Sequence, residues 1–92
     1  MFYIDVKWHH TNPDDPSRLV SELDEDRWEV RKLEFYTDGR VGFASEKSAT
    51  LGAALSLEPL PSIDEINCDA QFDAQSVAAE TFEALWRVHG HS

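Results

Sequence analysis

The chain opens with an alternation. Phe2, Ile4, Val6, Trp8 and His10 fall on one parity and Tyr3, Asp5, Lys7 and His9 on the other. Successive side chains leave a strand on opposite sides, so this period of two describes a strand with one buried face. Such a strand needs partners on its flanks and a layer over its apolar side. The partners follow in the next residues. Arg18 to Leu23 reads as a second strand, Arg27 to Tyr36 as a third and Arg40 to Ser45 as a fourth. Asn12-Pro13 and Asp15-Pro16 make Thr11 to Pro16 a loop, because proline disfavours helix at the residue before it and offers no ladder donor. Asp24-Glu25-Asp26 supplies the next reversal.

The turn at Asp38-Gly39 admits a two-residue or a three-residue loop. The shorter one sets Glu34 opposite Phe43. The longer, Thr37-Asp38-Gly39, sets Phe35 opposite Val41 and Leu33 opposite Phe43. Apolar cross-strand pairs are each worth about 0.2 to 1 kcal/mol, and glycine takes the left-handed conformation a bulged loop requires, so the three-residue loop is expected.

The second half is helical at two places and otherwise irregular. Residues 46 to 60 cross the sheet without a regular pattern. Ser62 and Glu65 have capping-box spacing ahead of a short helix, Ile63 to Asn67. From Ala79 onward, Phe82, Leu85, Trp86 and His89 recur at helical spacing, and Gly90 marks the stop. Strands followed by helices predict one α+β domain over residues 1–92: a four-stranded antiparallel meander with the short helix and the C-terminal helix packed on one face. A single cysteine, Cys68, leaves no internal disulfide, so burial alone must hold a small core and self-association as a homodimer is a natural aid.

The pattern Trp8-x-His10-x-x-Pro13-x-x-Pro16, Ser21-Glu22-x-Asp24-x-x-Arg27-x-Glu29-x-Arg31-Lys32, Asp38-Gly39 and Pro59-x-Pro61-x-x-x-Glu65-Ile66 resembles a family of small bacterial proteins known as a domain of unknown function. The resemblance spans nearly the whole chain and implies one complete domain of bacterial or phage origin. It implies no activity. Ala78 departs from it, standing where the family has a capping serine, which removes about 1 kcal/mol of helix capping and no chemistry.

Charge narrows the function. There are 18 acidic against 8 basic side chains, net −10, and the imbalance is concentrated in residues 51 to 92, where Arg87 alone faces 7 acids. Phosphate backbones and anionic lipids repel such a surface, so no direct nucleic-acid or membrane binding is expected, and a basic protein partner is. No apolar run is long enough to span a bilayer and no signal-peptide core precedes the first strand, so the expected location is cytoplasmic. Gly-rich phosphate loops and the Gly-x-Ser-x-Gly elbow are missing from the sequence. Cys68 has no cationic flank and reads as a buried or inert thiol. His9 and His10 point to opposite faces of a strand, so neither they nor His89 and His91 form an expected metal site; no cofactor and no catalytic residue is assigned.

The third strand is the informative one. Trp28, Val30 and Tyr36 share one parity, Leu33 and Phe35 the other. Three arrangements explain this: a bulge near Arg31, a face left open as an aromatic patch with Tyr3, or burial beneath residues 46 to 60. Polar groups gather nearby, with Glu22, Asp24, Arg27, Glu29 and Arg31 where the second and third strands meet and His10 at the end of the first. The candidate binding residues are thus Tyr3, His10, Glu22, Asp24, Arg27, Trp28, Arg31 and Tyr36. They suit an acidic binding module of the immunity or inhibitor type, or else a small-ligand or enzymatic domain with a His/Glu/Arg cluster at the sheet edge. The plain alternative for the charged set is an ion-pair network bracing the sheet.

Overall fold

In the computed structural model, which describes residues 1–90, the N-terminal alternation becomes β1, Phe2–Trp8. The next runs become β2, Arg18–Leu23, β3, Glu29–Phe35, and β4, Val41–Ser45, each antiparallel to its predecessor. The hairpin uses the three-residue loop: Phe35 faces Val41, Leu33 faces Phe43, and Gly39 sits at φ 94°.

Four strands were expected and the sheet has five. β5, Phe72–Ser76, lies along the free side of β1, giving the order β4-β3-β2-β1-β5. Its sequence, Phe72-Asp73-Ala74-Gln75-Ser76, is short and mostly polar, with Ala74 its one buried residue. The unpaired backbone of β1 makes it a strand, because those groups need partners that local propensity does not reveal.

Both faces of the sheet are apolar, and each has its own cover. One face carries Ile4, Val6, Leu23 and Ala74, packed by Leu60 and by Ile63 and Ile66 of α1, Ile63–Asn67. The other carries Val20, Leu33 and Phe43, packed around the fully buried Phe82 of α2, Ala79–His89. The expectation of both helices on one face therefore does not hold. α2 begins at Ala78 without a side-chain cap, whereas Ser62 Oγ accepts the Glu65 N–H at 3.2 Å to start α1.

The parity change in β3 has a local cause. Glu22 is paired with Arg31 but Leu23 with Glu29, so Val30 is an extra residue and the strand bulges there. Both sheet edges are capped in part. Beyond β4 the chain folds back, with the Thr50 N–H donating to the Phe43 carbonyl at 2.9 Å. Beyond β5, Asn67 occupies the backbone groups of Ala74. Among the described residues no helix is long and apolar enough to cross a membrane.

Candidate functional site

Three of the eight candidate residues meet on the α2 face. Arg31 grips Glu22 through two hydrogen bonds, Nε to Oε1 at 2.6 Å and Nη2 to Oε2 at 3.0 Å, and the Tyr3 hydroxyl donates to the same carboxylate at 3.0 Å. Arg31 also reaches Glu83 on α2 at 2.6 Å, and its guanidinium lies 4.9 Å from the Phe82 ring centroid and 5.1 Å from that of Trp86. Arg31 thus ties sheet to helix while covering aromatic surface. The Arg31 bonds hold the Glu22 carboxyl below its ordinary range, Glu22 in turn raises the Tyr3 phenol, and Arg31 itself is raised. Glu22 is buried and accepts three hydrogen bonds, one at Oε1 and two at Oε2, all from Arg31 and Tyr3. This is the bracing network, and its helix partner Glu83 has no signal in the strand pattern.

The rest of the set lies elsewhere. Asp24 shapes the β2–β3 turn, its Oδ1 accepting the N–H groups of Asp26 at 2.9 Å and Trp28 at 3.0 Å. Arg27, at φ 69°, donates to the carbonyls of Leu60 at 2.9 Å and Pro61 at 2.6 Å, so it anchors the crossing segment. His10 and Tyr36 stand at the opposite end of the sheet. The His10 ring pins the proline loop, with Nε2 2.8 Å from the Pro16 carbonyl and Nδ1 accepting the Asn12 N–H at 3.1 Å. Tyr36 lies under the Arg40 guanidinium. The His/Glu/Arg cluster is therefore not assembled, because His10 and Glu22 belong to opposite ends of the β1–β2 pair. Cys68, expected to be buried or inert, is an exposed thiol at the end of α1.

Trp28 is different in kind. Its N–H and its carbonyl are both engaged by Asp24, yet the residue is 42% exposed. Met1 and Phe2 are exposed beside the same turn: the Met1 ammonium contacts Glu25 at 2.9 Å, and the Arg27 guanidinium lies over the Phe2 ring. Three exposed apolar side chains, Met1, Phe2 and Trp28, therefore stand at this end of the sheet, beside the acidic turn residues Glu25 and Asp26.

A second feature was not foreseen. α1 is short and covers the β1–β5 side of its face, leaving a cleft of about 570 Å³ toward β2 and β3. Ile4, Val6 and Leu19 form its floor, Leu60, Ile66 and Phe72 its apolar sides, and Ser21, Glu29, Lys32 and Ser56 a polar wall. Glu29 accepts from Ser21 Oγ at 3.0 Å and from the Ser56 N–H at 2.6 Å, while Lys32 Nζ lies 3.4 Å from Glu29 and 3.3 Å from Glu34. The strand register, which aligns Ile4, Ser21 and Lys32, carried the clue that half of this face is polar.

A family model described as "Domain of unknown function (DUF6881)" matches residues 2–91. No curated protein and no solved structure matches the chain.

Proposed function

Because the chain belongs to the DUF6881 family, a domain of unknown function, we propose its role from its own surface: a small acidic recognition module that docks a basic protein in the bacterial cytoplasm, in the manner of an immunity protein or inhibitor. The observation that carries this reading is Trp28, exposed on a turn whose backbone is already fixed. An ordered aromatic anchor loses little conformational entropy on binding, and tryptophan is among the residues that most often dominate interface energetics.

Charge supports the same reading. Arg18, Arg31, Lys32 and Arg40 are all paired with carboxylates, and Arg27 is spent on carbonyls. No lysine or arginine lies between Lys47 and Arg87, a stretch holding seven acids. The surface is thereby left with unpaired carboxylates, which accelerate encounter with a cationic partner and exclude anionic ones.

The test is affinity capture from the host at low salt and at about 0.5 M salt, where the screening length falls to a few ångströms. A basic protein retained at low salt, released at high salt and lost with Trp28→Ala is the expected result. Retention that ignores both salt and Trp28 would refute the reading.

A further inference from the structure

We propose that the cleft beneath α1 is a binding site for a small amphiphilic cation, an organic amine with an apolar body. The lining of this site includes neither Trp28 nor Phe2, and the proposal does not depend on them.

The volume, about 570 Å³, lies within the range of small-molecule sites, and the floor of Ile4, Val6 and Leu19 offers apolar surface to a ligand body. The sign of the ligand follows from the charges around it. Lys32 is the one cation in the lining, and it is flanked by Glu29 and Glu34. Glu29 is held in place by Ser21 and Ser56, so it cannot turn away. Glu65 and Asp69 add two further carboxylates to the lining, and neither is paired with a cation among the described residues. The cleft is therefore net negative, with its uncompensated charge on Glu65 and Asp69. An amine whose body rests on the sheet can place its ammonium at these two carboxylates, whereas a carboxylate or phosphate meets repulsion there. Both carboxylates are exposed at the mouth of the cleft, so the discrimination is that of surface charges and weakens as salt is added.

Phenethylammonium, phenethyl alcohol and phenylacetate share an aromatic body and differ in charge. Titrated into the full chain and followed by amide NMR, phenethylammonium is expected to give saturable shifts at Leu19, Lys32 and Ile66. Phenethyl alcohol should bind about tenfold more weakly and phenylacetate more weakly still. The double variant Glu65→Gln/Asp69→Asn retains side-chain acceptors for the Ser62 hydroxyl and the Gln71 N–H and removes only charge. It should bring the amine down to the affinity of the alcohol. Absence of saturable shifts at the cleft with all three probes overturns the site. Equal binding of amine and phenylacetate, or an amine affinity unchanged in the double variant, overturns the ligand class.

Discussion

The side-chain amide of Asn67 makes with Ala74 the pair of hydrogen bonds that another strand would make, Nδ2 donating to the Ala74 carbonyl at 3.0 Å and Oδ1 accepting its N–H at 2.6 Å. One residue of α1 thereby caps the middle of the β5 edge. Asn67→Ala should lose about 2 kcal/mol, since two partly buried backbone groups are orphaned, and should associate as concentration rises because the exposed edge can pair with another copy. Urea unfolding and sedimentation equilibrium read the two effects separately.

Glu22 and Tyr3 give stability opposite pH limbs. The folded Glu22 carboxyl lies below its ordinary 4.5 because Arg31 binds the ionised form. The unfolded chain therefore protonates first, and stability present above about pH 4.5 is lost as pH falls through the folded value. Tyr3 lies above its ordinary 10.0 because its O–H donates to Glu22, so stability is lost as pH rises past 10 and through the folded value. Glu22→Gln should flatten the acid limb and Tyr3→Phe the alkaline limb in melts taken across pH.

Arg31→Met leaves the buried Glu22 without its cation and should destabilise by about 3 kcal/mol. Adding Glu22→Leu removes the stranded charge and should recover part of that loss. A double-mutant cycle in urea measures the coupling; additive losses would mean that the pair is worth nothing beyond its packing.

Gly39→Ala and Gly90→Ala should fail for different reasons. The first meets no atom within 4 Å and costs about 1 kcal/mol through its positive φ alone. The second drives a methyl into the Trp86 ring, which itself packs on Phe82 and Phe43. It should cost about 1 to 3 kcal/mol as overpacking and perturb tryptophan fluorescence, which Gly39→Ala should leave alone.

Much of the architecture was legible along the chain. The bounds of β2, α1 and α2 follow from local spacing, as does the Phe35–Val41 register, because turn chemistry and periodicity act between near neighbours. The candidate site was legible only in pieces. Tyr3, Glu22 and Arg31 converge as their strand positions suggest, but His10 stands at the other end of its strand and Glu83 arrives from a helix far along the sequence. The cleft was invisible because a cavity is made by what α1 is too short to cover.

The sequence by itself determined the first four strands, the tight turn at Gly39, the two helices and the acidic pole, all consequences of side-chain period, backbone permissiveness and composition. Tertiary structure alone decided the fifth strand, the assignment of each helix to its own face, the exposure of Trp28 and the cleft with its negative lining. These depend on which unpaired backbone and which uncovered apolar surface remain once distant segments have docked, a property no local window of the chain contains.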